Sequence, residues 1–269
     1  NTYARAMGII LTVDFEADWG GRVDTIHAID KMTGPLLEAL DSSGAKATFF
    51  VSTEIAGAAA SWVRAIAAAG HEVASHGHRH NLRYDLLSRA ELLEQGKRSK
   101  EILEDMIGEP VWGFRTPQFR KNPHTEDTLA ELGYRYDSSA VLANLPGRYR
   151  KAQHKNRSLP EFPVDPIYRL FPAGIKWINL LGGRYSGKNS QVVYVHLFDL
   201  LRLVDTMRAA SPEIGKHVLM FYLARLGSPF RTLERLAGGS VTLRSLLSEN
   251  LKIAGADPAN HQKDGWARV

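Results

Sequence analysis

The chain has 269 residues, 44% of them hydrophobic and 23% charged, which is typical of a globular protein with one large core. Its formal charge of +5 comes from scattered basic residues, and no Lys/Arg run is interleaved with aromatic residues, which argues against nucleic-acid binding. The lack of cysteine excludes disulfides, cysteine-ligated zinc and thiol catalysis, and no apolar run reaches the ~18 residues that a membrane-spanning helix needs.

The first part of the chain alternates apolar strands with helices. Strands are predicted at 8–13, 47–52 and 71–75. Helices are predicted between them at 24–40 and 61–69. Gly34 and Pro35 could interrupt the first helix, while Gly44 and Gly70 are placed to end the two helices.

The remainder continues the alternation and then becomes helical. Ser88 and Glu91 form a capping box that begins a helix ending at Gly108. Further strands are predicted at 111–114, 134–136, 159–164, 176–181 and 191–195. Further helices are predicted at 125–132, 212–226 and 229–236, with a last short one beginning at Ser240 or Thr242. The pattern predicts a parallel sheet with crossover helices, and the absence of repeats or linkers predicts a single domain over residues 1–269.

Polar residues stand at the carboxyl ends of five predicted strands. They are Asp14, His76, Arg115, Asp137 and His196. In a parallel barrel these ends converge on one face, where active sites are built. Placement of this kind indicates a common site more strongly than any single motif does.

The histidines at 76, 78 and 80 follow the third strand. His76 and His80 are four residues apart, a spacing that can place two imidazoles on one divalent ion. Imidazole suits zinc, nickel, cobalt or iron better than magnesium or calcium. Taken alone, the three histidines would equally suit a polar surface loop.

Three carboxylates lie at the end of the first strand, at Asp14, Glu16 and Asp18. Asp14 and Glu16 alternate, so both can point to one side of an extended segment. A hydrolytic metal site needs an anionic ligand beside its imidazoles and a free carboxylate that takes a proton from water. An acidic turn or a helix cap is the alternative, and Asp18 is the residue best suited to a turn.

The order of these motifs resembles that of the polysaccharide deacetylases, the NodB-homology family (carbohydrate esterase family 4). The resemblance covers residues 8 to about 200 and rests on Asp14, His76-x-x-x-His80, Arg115-Thr116-Pro117, Asp137-Ser138-Ser139 and Val195-His196. It implies an α/β fold, a distorted (β/α) barrel with about seven parallel strands. It also implies metal-dependent removal of an acyl group from an N-acylated sugar.

The resemblance further implies roles for four residues. Asp14 would be the general base, and Arg115 would hold it and keep it ionised. His196 would protonate the leaving amine, and Asp137 would orient His196 and raise the pKa of its imidazole.

The implied metal ligands are His76, His80 and one acid, and here the sequence departs from the family. The usual pattern has two adjacent aspartates, but position 15 is Phe. Glu16 is therefore the expected third ligand, with Asp18 or no third protein ligand as alternatives. Zinc is the expected ion and nickel, cobalt or iron the alternatives, although some relatives work without metal.

The implied partner is a carbohydrate, either an N-acetylated glycan or a lipid-linked precursor. Trp19 and Trp177 could stack on a sugar face, although aromatic residues more often belong to the core. Pro117 and Phe119, just after Arg115, are further candidate substrate contacts. The sequence does not indicate an oligomeric state.

Several rival interpretations stay open. Residues 182–189 nearly match a phosphate-binding loop, but Asn189 stands where Ser or Thr is needed and a β-branched run follows instead of a helix. The same catalytic residues could hydrolyse a small amide or cyclic imide, or the chain could be an inactive glycan-binding protein. Because no signal peptide is visible, a cytoplasmic location is expected, with association with the cell envelope as the alternative.

Overall fold

Six parallel strands form the central sheet of the computed structural model, which describes residues 9–141, 159–164, 166–167, 171–172, 174, 191–201, 231–233 and 237–253. The strands of the described residues are β1 (Ile9–Phe15), β2 (Thr48–Val51), β3 (Glu72–Ser75), β4 (Gly113–Phe114), β5 (Tyr136–Asp137), β6 (Pro166–Ile167), β7 (Phe171–Pro172) and β8 (Gln191–His196). The sheet order is β5-β4-β3-β2-β1-β8, and β6 and β7 form a separate antiparallel pair. The predicted parallel α/β architecture is confirmed.

Helices connect the strands as the alternation predicts. They are α1 (Asp18–Gly21), α2 (His27–Ser42), α3 (Ala60–Ala68), α4 (Arg89–Ile107), α5 (Thr125–Glu131) and α6 (Leu243–Ile253). The capping box at Ser88 is present, and α4 ends at Gly108 in the left-handed conformation. The interruption considered at Gly34-Pro35 is absent, because α2 continues through Pro35. None of the helices in the described residues combines the length and the apolar character that a membrane span requires.

Residues 159–164 bring the two edges of the sheet together. Glu161 bridges to Asp137 at the end of β5, and Val164 bridges both to Val141 and to Val192 of β8. The segment predicted as a strand thus lies between the edge strands as a set of isolated bridges, not as a regular strand. It closes the sheet into a distorted barrel with six regular strands, where about seven were expected.

The alternation of side chains along β1 separates the helix-facing core from the barrel interior. Leu11, Val13 and Phe15 belong to the larger hydrophobic cluster, which includes the residues of the surrounding helices. Ile10 belongs to the second cluster, with Phe50 and other inward residues. Because side chains alternate with a period of two, Thr12 and Asp14 follow Ile10 into the interior.

The register of the sheet gathers the strand ends at one face. Asp14 pairs with His196 of β8, and Phe114 pairs with both Ser75 and Asp137. Residues that follow these positions therefore emerge side by side at the carboxyl end of the barrel, which is the face where barrel enzymes build their sites.

Some predicted features lie outside the described residues. They are the strand at 176–181, the helix at 212–226, Trp177 and the glycine-rich segment at 182–189. The last helix begins after Thr242, whose Oγ1 accepts a hydrogen bond from the backbone of Ser245 at 3.0 Å. The single-domain extent and the cytoplasmic location stay predictions.

Candidate active site

Glu16, His76 and His80 form a buried cluster at the carboxyl end of the barrel. One ligand atom of each residue lies within 4.8 Å of the others. Glu16 Oε2 is 2.6 Å from His80 Nε2 and 3.2 Å from His76 Nε2. The structure thus brings together the two imidazoles and the acid that the sequence predicts as ligands of one ion.

The geometry of this cluster fits a divalent metal. Glu16 Oε2 is buried and makes no hydrogen bond of acceptable geometry, although two imidazole nitrogens lie near it. His76 Nδ1 lies 2.8 Å from the carbonyl oxygen of Arg115, which fixes the proton on Nδ1 and leaves the Nε2 lone pair for a ligand. A carboxylate with two imidazoles is a donor set that zinc and neighbouring first-row ions accept.

Electrostatics favour an ionised Glu16. Burial opposes its ionisation, but the charge of His80 and the close approach of the His76 and His80 imidazoles hold the pKa of the carboxyl well below its usual range. Burial alone would lower the pKa of His80, but the Glu16 carboxylate raises it overall. Protons and a divalent cation therefore compete for the His80 imidazole.

Asp18, the alternative ligand, instead accepts hydrogen bonds from residues at and before the start of α2. Its Oδ2 accepts hydrogen bonds from Thr25 Oγ1 at 2.5 Å and from the backbone of His27 at 2.8 Å. Its Oδ1 accepts from the backbone of Ala28 at 3.0 Å. These contacts satisfy free amides at the start of α2, so Asp18 acts as a helix cap and Glu16 alone joins the histidines.

Asp14 lies beside the Glu16-His76-His80 cluster and is held by Arg115. The Arg115 Nη1 atom donates to Asp14 Oδ1 at 2.6 Å, and both side chains are almost fully buried. The guanidinium also donates to Thr12 Oγ1 and to the carbonyl and hydroxyl oxygens of Ser138. With four hydrogen bonds and the Phe50 ring 4.1 Å from its centre, Arg115 has a fixed position from which it orients Asp14.

His196 faces both acids of the first strand. Its Nε2 lies 3.8 Å from Asp14 Oδ2 and 3.7 Å from Glu16 Oε1. Its Nδ1 donates to Asp199 Oδ2 at 2.9 Å. Burial lowers the pKa of His196, but the Asp199 carboxylate, together with those of Glu16 and Asp14, raises it overall.

The prediction that Asp137 orients His196 is therefore wrong. Asp137 Oδ2 accepts a hydrogen bond from Lys121 Nζ at 2.8 Å, and its Oδ1 accepts from the backbone and hydroxyl of Ser139. Lys121 also bonds Glu161 Oε2 at 2.6 Å. Asp137 does not contact the imidazole, because the partly buried Lys121 and the turn at the end of β5 bind both of its oxygens.

The aromatic candidates for sugar contact differ in exposure. Trp19 is only 6% exposed and stacks on Phe198, with ring centroids 5.4 Å apart. It therefore lacks the exposed ring face that the predicted stacking on a sugar would need. Phe198 in turn stacks on His196 at 4.6 Å. Pro117 is buried, whereas Phe119 is half-buried and packs edge-on against Tyr194. Phe119 is the one of the three that retains accessible ring surface.

A strained turn follows Arg115. Gln118 and Phe119 both have a φ of 56°, in the left-handed region that side chains other than glycine rarely adopt. Hydrogen bonds from the backbones of Phe119 and Arg120 to Thr116 and Pro117 hold this turn. Such strain is found mainly at functional sites, which agrees with the position of the turn at the rim.

Two contributors escaped the sequence interpretation, Asp199 and Lys121. Asp199 follows His196 by three residues on a single 3-10 turn, Leu197–Asp199, and this His-x-x-Asp spacing is a signal that the sequence does contain. Lys121 offers no comparable signal, because its partners Asp137 and Glu161 are 16 and 40 residues away.

Comparison with known proteins agrees with the geometry. Residues 9–136 match the family model described as polysaccharide deacetylase. No curated protein matches the chain. Similar solved structures include a CE4 family pseudoenzyme from Bacillus anthracis, with 14% identity over 91% of this chain and 67% of that chain and a TM-score of 0.56.

Two further similar structures are a candidate polysaccharide deacetylase from Mycobacterium smegmatis and the Xyl-CE4 domain of a xylanase from the hindgut metagenome of Trinervitermes trinervoides. The first has 22% identity over 93% of both chains and a TM-score of 0.54. The second has 16% identity over 93% of this chain and 92% of that chain, with a TM-score of 0.51. At such identities the likeness concerns the fold. The family itself is shown for residues 9–136, which the model of the polysaccharide deacetylases matches.

Proposed function

We propose that this protein is a metal-dependent hydrolase that removes N-acetyl groups from an N-acetylhexosamine in a polysaccharide or its precursor. The observation that carries the proposal is that a candidate base, a candidate acid and a group of metal-type ligands lie next to one another. Oxygen atoms of Asp14 and Glu16 lie within 3.8 Å of His196 Nε2, and Glu16 belongs to the Glu-His-His cluster.

Asp14 is suited to act as the general base. Arg115 binds its Oδ1 and leaves Oδ2 on the side of His196, so one oxygen is anchored while the other can take a proton from water. A divalent ion bound by Glu16, His76 and His80 would polarise the amide carbonyl and lower the pKa of a water molecule.

His196 is suited to act as the general acid. An amine leaves readily only when it is protonated, so amide hydrolysis needs a proton donor on the leaving-group side. The Asp199 carboxylate keeps His196 protonated to higher pH against the effect of burial. Stacking on Phe198 fixes the plane of the imidazole.

Two other functions give different results in simple assays. A hydrolase of small amides or cyclic imides would use the same residues on a substrate without a sugar ring. An inactive glycan-binding protein is the other alternative, since one similar fold belongs to a pseudoenzyme. The simultaneous presence of a base, an acid and a metal-type cluster favours an enzyme.

Metal content tests the first part of the proposal. We expect about one divalent ion per chain and loss of that ion in His76→Ala, because removal of one of three ligands leaves too few donors. His124→Ala, a histidine exposed at the start of α5, is the matched control and keeps the metal. Equal metal content in all three proteins would disprove the assigned ligands.

Acetate release tests the second part. The wild-type chain is incubated with chitin, peptidoglycan and exopolysaccharide fragments and, in parallel, with small amides and imides. Asp14→Asn should retain the metal and lose activity by about 10²- to 10⁴-fold, the usual contribution of a general base. Turnover of small amides alone would favour the alternative substrate class, and bound metal without any turnover would favour the binding protein.

A further inference from the structure

A cavity of about 250 Å³ lies between the loop that follows β3 and the first turns of α4. Its polar lining consists of His78, Arg79, Glu91, Glu94, Gln95 and Arg98. None of these side chains belongs to the metal cluster or to the base and acid described above. The cavity therefore needs an explanation of its own.

Two polar side chains of the lining are more than nine-tenths buried. His78 and Gln95 are each 8% exposed. His78 Nδ1 lies 2.9 Å from Thr53 Oγ1, and Gln95 Oε1 accepts a hydrogen bond from the backbone of Arg79 at 3.1 Å. Within the described part of the chain, the Nε2 atoms of both residues have no hydrogen-bond partner. When Thr53 donates to Nδ1, the His78 proton is on Nε2, so both Nε2 atoms are donors.

The charged residues of the lining favour an anion. Arg79 and Arg98 make no ion pair with any described residue, and a guanidinium fork matches a carboxylate in two parallel hydrogen bonds. Glu91 is already engaged, because its carboxylate accepts from the backbone and hydroxyl of Ser88 at 2.8 and 2.7 Å. Glu94 is the remaining acid, and its charge disfavours a ligand with two negative charges.

We propose that this cavity is a second ligand site, separate from the metal cluster, which binds the carboxylate of a small organic acid. Four of the lining side chains carry N–H groups, those of His78 and Gln95 buried and those of Arg79 and Arg98 exposed, and Leu82 and Leu87 add an apolar wall that suits the carbon part of such a ligand better than inorganic phosphate. The carboxylate can come from two sources. One is acetate, which rests on the proposed deacetylation, and the other is a uronic acid of a glycan, which does not.

The site is placed to communicate with the metal cluster. His78 and Arg79 lie in the same loop as His76 and His80: His78 is two residues from both, and Arg79 is one residue from His80. A carboxylate that bridges this loop to Arg98 of α4 would restrain the segment that carries both imidazole ligands.

Direct titration tests the proposal without catalysis. The chain carrying His76→Ala, dialysed against a chelator, is titrated by calorimetry with sodium acetate, sodium glucuronate and inorganic phosphate at constant ionic strength. This variant prevents a carboxylate from being counted at the metal cluster. We expect saturable binding of at least one carboxylate, tighter than that of phosphate.

Variants locate the binding. When Arg98→Ala is introduced into the chain that already carries His76→Ala, carboxylate binding should weaken about tenfold or more, because one charge-assisted pair is lost. Lys97→Ala, the neighbouring cation of α4 that does not line the cavity, is the matched control and should bind normally. Arg79→Ala provides an independent removal of the second guanidinium if the Arg98 variant fails to fold.

Each outcome has one meaning. Binding of acetate alone supports the product as ligand, binding of glucuronate alone supports a glycan acid, and binding of both supports a general carboxylate site. The proposal is overturned by absence of saturable binding, by tighter binding of phosphate, or by equal losses in the Lys97 and Arg98 variants. Because metal and turnover play no part, these outcomes do not depend on whether the proposed deacetylase activity is found.

Discussion

Replacement of Asp199 by Asn tests which carboxylate serves the catalytic acid. Asn keeps the size of the side chain and can still accept a hydrogen bond from His196 Nδ1, so only the charge is removed. A charge-assisted hydrogen bond contributes about 1.5–3 kcal/mol and a neutral one about 0.5–1.5 kcal/mol. A difference of about 1–1.5 kcal/mol corresponds to a loss of about 5- to 12-fold in kcat/KM.

The pH dependence gives the sharper signature. His196 must be protonated to act as an acid, and Asp199 raises the pKa of its imidazole. Without that carboxylate the pKa of His196 falls. The basic limb of the pH–activity profile, where activity is lost as pH rises, therefore moves to lower pH than in the wild type, while the acidic limb of the profile is unaffected. The assay is acetate release from the best glycan substrate as a function of pH, with metal content measured for each variant.

Asp137→Asn is the matched control for this experiment. Asp137 bonds Lys121 and Ser139, and no contact joins it to His196 within the described residues. Its replacement should leave the basic limb in place, whatever it does to stability. A shifted basic limb in Asp137→Asn together with an unshifted one in Asp199→Asn would refute the assignment of Asp199.

Three further variants probe the packing that supports the site. Arg115→Met removes a fully buried cation from its carboxylate and should lower the free energy of unfolding by about 3–5 kcal/mol in a urea titration; a loss below about 1 kcal/mol would contradict the contacts seen. Gly77→Ala should cost clearly more than Gly44→Ala in thermal unfolding, since both have positive φ but only at Gly77 would a Cβ lie 2.0 Å from the Tyr84 hydroxyl. Lys121→Met leaves the buried carboxylates of Asp137 and Glu161 without their shared cation. Burial and the charge of Asp137 raise the pKa of Glu161, so the loss of unfolding free energy in this variant should be largest at neutral pH and should shrink on acidification, where the carboxylates take up protons. A loss that does not depend on pH would argue against this pair of carboxylates.

The strand ends show how far local pattern reaches. Short apolar runs predicted β1, β3 and β8 to within two residues at each end, because buried parallel strands require such runs. A polar residue directly after a buried strand is then expected at the open end of the barrel, because the core around the strand is apolar. Asp14, His76 and His196 could therefore be placed on one face before any contact was known.

The partners of the acids could not be predicted in the same way. Asp137 occupies the motif position that implies contact with His196, yet Lys121 and Ser139 take both of its oxygens. Asp199 instead reaches the imidazole through a 3-10 turn of three residues. Which carboxylate meets which cation depends on long-range packing and on the path of the turns, neither of which is written in local sequence.

Local sequence was enough to predict the alternation of strands and helices, the capping of α4 and the gathering of polar residues at the strand ends, since these depend on periodicity and on neighbours within a few residues. The folded chain was needed to show that Glu16 joins the histidines while Asp18 caps α2, and that Trp19 is buried against Phe198. The reason is that these choices compare contacts between residues far apart in the chain, and the register of the sheet sets those distances.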